Sequence, residues 1–337
     1  MCPAEENANC GRLRPTNARR SSEKIDTRIS RVPGSRLDPW PDYRDGRMKF
    51  PGMGPKLPGG SVLDFSGPAL IMAVINCNDD SFYPPSRASG DEAMEKALAA
   101  AGEGASIIDF GGESTRPGSA YINEEEELDR LIPVIESFRK RSSVPVSVDT
   151  RKATVARAAL DAGADIINDI SGLNDDPLIA QLCAERGAAV VLMHKKGIPL
   201  TMQDAGNLES SYEDPVAEVG AWLGKAAERA QAAGVPTRQI IIDPGFGFGK
   251  TPENNLEILR RLRQLAETCG RHYPVMVGLS RKSFIGEITG RDLTERLSGT
   301  LAANMVAIMG GAVIIRVHDV KEHLDMVKIL YALSPRY

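Results

Sequence analysis

A single (β/α)8 barrel is the fold this sequence predicts, and three observations predict it. Eight short apolar runs recur between residues 70 and 317, and stretches with helical spacing separate them. The links are short, and no second break in composition divides the series. The length from residue 59 onward suits the roughly 250 residues such a barrel needs. A doubly wound open sheet is the rival arrangement, and eight regular units favour the barrel over it.

The chain has 337 residues, 42% hydrophobic and 26% charged, which is a globular composition. A net charge of −4 gives no bulk attraction to nucleic acid or to an anionic membrane. No apolar run reaches the roughly 18 residues of a membrane span, and the N-terminus lacks the apolar core of a signal peptide. A cytoplasmic protein is therefore expected. Cys2, Cys10, Cys77, Cys183 and Cys269 form no CxxC pair. Reduced thiols are expected, with neither a zinc knuckle nor a disulfide framework.

Residues 1–56 hold 12 Lys or Arg against 7 Asp or Glu, with much Pro, Ser and Gly and no apolar period. A disordered or loosely packed N-terminal extension is expected over 1–58, ahead of a barrel over 59–337. Ser61–Phe65 reads as a short leading strand, a plug or one arm of a hairpin. The eight strands are expected at Leu70–Ile75, Ser106–Phe110, Pro145–Val148, Asp165–Ile167, Ala188–Met193, Gln239–Ile242, Val275–Gly278 and Ala312–Val317. The helices between them are expected at Asp91–Glu103, Glu124–Arg139, Lys152–Ala162, Pro177–Arg186, Val216–Ala233, Asn254–Thr268 and Leu293–Met309, and Asp319–Leu333 closes the chain. Leu256, Leu259, Leu262 and Leu265 follow a helical period, and glycine follows several of these helices.

Barrel chemistry sits at the carboxyl ends of the strands, and there every run delivers a polar group. The ends carry Asn76, the Gly111–Gly118 loop, Asp149, Asn168-Asp169, His194, Asp243, Ser280-Arg281-Lys282, and Arg316 with His318. Buried polar groups without partners cost a few kcal/mol, roughly, so such a rim asks for a polar ligand. Asp149, Asn168 and Asp243 are acceptors suited to a flat heterocycle with an amino-amidine edge, and Lys282 is a donor beside them. Helix N-capping is the plainer role for each Asp. A glycosidase pair would use the same acids but leaves the cations unexplained. Arg316 and His318, two apart on a strand, face one way, and with Arg116 and an amide they suit a phosphate or diphosphate. A salt bridge from Arg316 to Asp319 is the alternative. His194 and His318 lack a third ligand at zinc spacing. A magnesium ion held mainly by phosphate and water, with Asn76 giving one oxygen, fits better. Lys195-Lys196 adds positive charge or is simply solvated. After the strand Gln239–Ile242, Gly245, Gly247 and Gly249 permit sharp turning and leave room for something flat. Their GxGxG spacing matches neither the Rossmann fingerprint nor Walker A.

Taken together, Ile75-Asn76 with Asp80-Ser81-Phe82, Gly112–Gly118, Ser147–Thr150, Ile167–Gly172, Met193-His194, Asp243–Lys250, Ser280–Ser283 and Arg316–Val320 resemble the dihydropteroate synthases, a family of pterin-binding barrels. The likeness runs from about Ser61 to Tyr337. It implies condensation of 6-hydroxymethyl-7,8-dihydropterin diphosphate with 4-aminobenzoate in folate synthesis, and a sulfonamide target. It implies that Asp149, Asn168 and Asp243 bind the pterin edge, Lys282 its oxo and ring-nitrogen side, and that Arg316 stacks on it. Asn76, Arg116, Arg316 and His318 would hold the diphosphate with Mg2+. Thr115, Pro117, Phe248 and Ser280 would line the aminobenzoate pocket. The family is usually dimeric, so a homodimer acting on small molecules is expected.

The sequence departs from that pattern in three places. Cys77-Asn78-Asp79 stands where the family usually has Val-Thr-Pro, Tyr83–Arg87 is bulkier than the usual glycine-rich loop, and Lys195-Lys196 replaces Met-Gln. Two other readings stay open: a methyltetrahydrofolate–corrinoid methyltransferase-like domain, and a pterin-binding paralogue without activity. The Ser114–Gly118 loop and the Ser280-Arg281-Lys282 block argue against the first.

Overall fold

Each apolar run becomes a strand because its alternate residues meet two different apolar surroundings. The computed structural model describes residues 54–77, 87–114, 119–197, 212–270 and 273–333. Its strands are β1 (Leu70–Asn76), β2 (Ile107–Gly111), β3 (Val146–Asp149), β4 (Ile166–Asp169), β5 (Ala189–Met193), β6 (Ile240–Asp243), β7 (Val275–Val277) and β8 (Ala312–Val317). They close in sequence order into one parallel barrel, β8 pairing with β1. One set of residues, including Met72, Ile107, Ile166, Val191, Ile241, Met276 and Ile314, forms the apolar core inside the barrel. The alternate set, including Ile71, Ile108, Val148, Ile167, Leu192, Ile242 and Ile315, packs with helix residues in the larger outer core.

The helices are α1 (Arg87–Glu103), α2 (Glu124–Arg139), α3 (Ala153–Asp161), α4 (Leu178–Arg186), α5 (Pro215–Ala232), α6 (Pro252–Arg260), α7 (Leu262–Thr268), α8 (Ser283–Thr289), α9 (Leu297–Met309) and α10 (Val320–Leu333). Local chemistry sets where several of them start. Asn123 caps α2 through Glu126 N, with four glutamates in the first turn against the positive end of the helix dipole. Asp214 caps α5 and Thr251 caps α6, each followed by a proline whose missing N–H costs nothing there.

Two of the expected helices differ in the structure. The single helix expected over Asn254–Thr268 is two, because the backbone of Arg261 leaves helical geometry at φ −111° and ψ 28°. Its guanidinium is held by both oxygens of Asp214 and by Glu257. Helix α9 begins at Leu297, after a separate short 3-10 turn over Leu293–Glu295, and α8 is a further short helix. Ser61–Phe65 is one arm of a hairpin, one of the forms expected for it, with a lone Lys56–Val62 bridge in place of a full strand. The hairpin plugs the amino end of the barrel with Leu57, Leu63 and Phe65, and Gln239 Nε2 donates to Lys56 O at 2.8 Å. The expected N-terminal extension lies outside the described residues as far as residue 53, and residues 54–58 belong to this hairpin. Among the described residues no helix is long and apolar enough to cross a membrane.

Candidate active site

The inward face of the barrel changes character one pleat above its apolar floor. Asp109 stands two residues beyond Ile107, Asn168 beyond Ile166, Asp243 beyond Ile241 and Arg316 beyond Ile314, while Asp149 follows Ser147 on β3. A period of two therefore stacks a charged layer on an oily one. Closure of the sheet brings these groups together: Asp149 is in register with Asn168, Asp109 with Ser147, and Asp243 with Met193.

Arg316 ties the layer together. Its Nε donates to Asp109 Oδ2 at 2.6 Å and its Nη2 to Asp149 Oδ2 at 2.8 Å. Burial works against its charge, but the two carboxylates outweigh that and hold its pKa above the ordinary arginine value. Burial also lifts Asp149 well above the usual carboxylate range, against the pull of Arg316, and the like charge of Asp109 adds to the rise. Burial lifts Asp243 to about 6, opposed by a hydrogen bond from Gly245 N and by Lys282 and Arg316. Lys282 is lowered to about 8, first by burial and then by Arg316, while Asp243 and Asp149 pull it back up. Groups that shift one another in this way share one electrostatic field and so one site. The alternative pairing of Arg316 with Asp319 does not occur. Asp319 takes Arg281 in two bonds of 3.1 and 2.6 Å.

The segment after β6 supplies the apolar wall. The Phe248 ring centroid lies 4.2 Å from Lys282 Nζ, and Phe248 packs with Ile170 and Met193. Gly245 and Gly249 do not leave the room for a ligand that the sequence suggested, whereas Gly247 faces the Lys282 side chain, with Cδ 3.2 Å from its Cβ position. A Cβ on Gly245 would lie 1.9 Å from His194 O, and one on Gly249 would lie 2.2 Å from Lys196 O. Their space is filled by the backbone that follows β5. Lys250 fastens the two segments. Its ammonium donates to Gly245 O at 2.8 Å and Phe248 O at 3.3 Å, and lies 3.0 Å from His194 Nδ1. Burial lowers Lys250 to about 7 and holds His194 well below its ordinary value. A neutral His194 then accepts at Nδ1, and its ring packs edge-on to Trp222.

The remaining predicted residues are spread around the same rim. Asn76 ends β1, exposed, and is in register with Gly111. Ser280 Oγ lies 2.9 Å from His318 Nδ1, just beyond β8. Thr115, Arg116 and Pro117 lie outside the described residues. The backbone on either side of them is anchored: Glu113 accepts from Ile122 N, Arg151 and Lys152, and the Ser114 and Ser119 hydroxyls are 2.8 Å apart. Lys195 is not simply solvated, since it donates to Asp175 and to Tyr121 Oη. Lys196 lies over the Tyr212 ring. Among the described residues no three His, Cys, Asp or Glu side chains form a metal cage. The one exposed amide oxygen at Asn76 suits a divalent ion that takes most of its ligands from substrate and water.

Reading strand ends alone misses Asp109 and Lys250. Asp109 lies inside an apolar run, and only the period of two, counted from Ile107, marks it as facing inward. Lys250 resembles an ordinary post-glycine lysine in sequence, and nothing local signals its burial.

A family model described as pterin binding enzyme matches residues 72–318. The chain is 41% identical over 300 residues to a dihydropteroate synthase of Synechocystis sp., covering 88% of this chain and 98% of that one. Among solved structures, Xanthomonas albilineans dihydropteroate synthase with 4-aminobenzoic acid matches with a TM-score of 0.76 at 39% identity, over 84% of this chain and all of that one. The same enzyme in complex with 7,8-dihydropteroate matches with a TM-score of 0.73 at 37% identity, over the same shares of both chains.

Proposed function

This chain belongs to the pterin binding enzyme family, and we infer that its reaction is that of a dihydropteroate synthase. It condenses 6-hydroxymethyl-7,8-dihydropterin diphosphate with 4-aminobenzoate to give 7,8-dihydropteroate and pyrophosphate. The observation that carries the reading is the single coupled layer of Asp149, Asn168, Asp243, Lys282 and Arg316 above an apolar barrel floor.

The roles follow from charge. A pterin presents paired N–H donors on one edge, and Asp243, Asp149 and Asn168 are the acceptors for them. Lys282 donates to the oxo and ring-nitrogen side, and Arg316 packs against the ring. Phe248 and Ser280, with Thr115 and Pro117, line the aminobenzoate pocket. Asn76, Arg116, Arg316 and His318 face the diphosphate. The bond from the pterin methylene carbon to the diphosphate oxygen breaks first, and its electron pair leaves with pyrophosphate. The arylamine nitrogen then bonds to that carbon and releases a proton. Cations around the leaving group stabilise its growing charge, and the carboxylates stabilise the methylene cation. No protein nucleophile is required. Mg2+, bound through Asn76, would supply further neutralisation of the pyrophosphate.

The deciding assay supplies purified protein with the pterin diphosphate, Mg2+ and 4-aminobenzoate. Formation of dihydropteroate is expected. Methyl transfer to an added corrinoid protein, or pterin binding without product, would overturn the reading. A homodimer is also proposed, since α9 is apolar and keeps Leu301, Met305 and Met309 only half-buried. Sedimentation at twice the chain mass is expected.

A further inference from the structure

Arg316 is engaged more deeply in the barrel than a ligand-binding arginine needs to be. The bond at Nε grips the stem of the guanidinium, and the bond at Nη2 fixes its plane. The residue at the stem is Asp109, fully buried on β2, with Asn168 Nδ2 also 3.4 Å from the same oxygen. The other oxygen, Oδ1, has no partner among the described residues, and neither has Ser147 Oγ, in register with it on β3. A buried carboxylate this sparsely served is tolerable only because a cation faces it. An arginine held by Asp149 alone is free to turn about its last side-chain bonds and carry its charge away from that carboxylate.

We propose that Asp109 is a positioning residue: it pins Arg316 by Nε inside the barrel, so that the guanidinium keeps its place beside Asp149 and meets the substrate from that one position. The proposal rests on the reading above only where it names the pterin. The pin is a property of β2, β3 and β8.

The test uses the full chain with Asp109→Asn, Arg316→Met and the double variant. The carboxyl titration of Asp149, followed by 13C NMR without ligand, is the first readout. Arg316, Asp109, Glu127 and Glu113 act on Asp149, and Asp149 acts in turn on Lys282. With Asp109 neutralised the guanidinium is released at its stem and leaves Asp149, and because the pull of Arg316 on Asp149 outweighs the push of Asp109, the Asp149 midpoint rises to higher pH. No movement, or the fall that loss of the Asp109 charge alone would give, overturns the pin. The second readout is affinity for 6-hydroxymethylpterin by calorimetry. Asp109→Asn is expected to lose roughly tenfold or more, as for a charged hydrogen bond. In the Arg316→Met background the same change is expected to cost less than about twofold. Losses that simply multiply overturn the proposal, because a residue acting through Arg316 has nothing left to act on. If Asp109→Asn alone does not fold, the double variant removes the unpaired guanidinium, and a loss of pterin affinity beyond about twofold against Arg316→Met overturns the proposal. A wild-type chain that binds no pterin defeats the proposed function, while the titration still decides the pin.

Discussion

Gly245→Ala places a Cβ 1.9 Å from His194 O and 3.0 Å from the carbonyl carbon, with both partners in backbone. Ordinary contact begins near 3.4 Å, so the segment after β6 must retreat by more than an ångström. Residue 245 also has φ of +68°, a conformation that costs an alanine about 1–2 kcal/mol. Overpacking of this kind adds about 1–3 kcal/mol, for a total of about 2–5 kcal/mol. Gly187 is the control, with φ of +64° and nothing within 4 Å of its Cβ position. Alanine there meets only the conformational cost of about 1–2 kcal/mol. A chain of this size loses about one degree of melting temperature per 0.6 kcal/mol, scaled from the usual entropy per residue. Gly245→Ala is therefore expected to melt roughly 3–8 °C below wild type, and Gly187→Ala roughly 2–3 °C below. The retreat also pulls Gly245 N away from Asp243 Oδ1, now 2.8 Å distant, and shifts Phe248. Pterin affinity measured by calorimetry should fall several-fold in Gly245→Ala alone. Equal melting temperatures, or wild-type pterin affinity in Gly245→Ala, would refute the reasoning.

Asp243→Asn is expected to weaken pterin binding by about 1.5–3 kcal/mol, the worth of a charged hydrogen bond; calorimetry showing unchanged affinity removes Asp243 from the site. Because the folded chain raises Asp243 from 3.8 to about 6, this group's stabilisation is full below pH 3.8 and is lost as pH rises through about 6. Melting temperatures between about pH 4 and 7 should show that loss in wild type and not in Asp243→Asn, while wild-type pterin affinity falls below about pH 6 as the acceptor is protonated. Removing divalent ions with a chelator should slow dihydropteroate formation and leave 6-hydroxymethylpterin affinity unchanged; equal loss of both would place the metal at the heterocycle instead. Phe65→Ala, in the plug, should cost about 3–5 kcal/mol of stability with KM values unmoved, and altered KM values in a folded variant would mean that the amino end of the barrel reaches the site.

The sequence by itself determined the succession of elements and most of the acids and amides at the rim. Runs such as Ile240-Ile241-Ile242 form buried strands wherever they fall, because their alternate residues need apolar cover on both faces. An acid directly after such a run, as at Asp243, announces itself without any tertiary contact. A plug or hairpin arm is among the forms expected of Ser61–Phe65, though not that one lone bridge would hold it. Only the tertiary structure decided which charges meet. Asp109 and Arg316 are 207 residues apart and become partners because the eighth strand returns to the first. The segment after β5 takes the space that Gly245 and Gly249 leave, and Lys250 is buried because those two segments close around it. Periodicity is a property of neighbours along the chain and is written there. Pairing between distant charges depends on how the sheet closes, which no stretch of sequence contains alone.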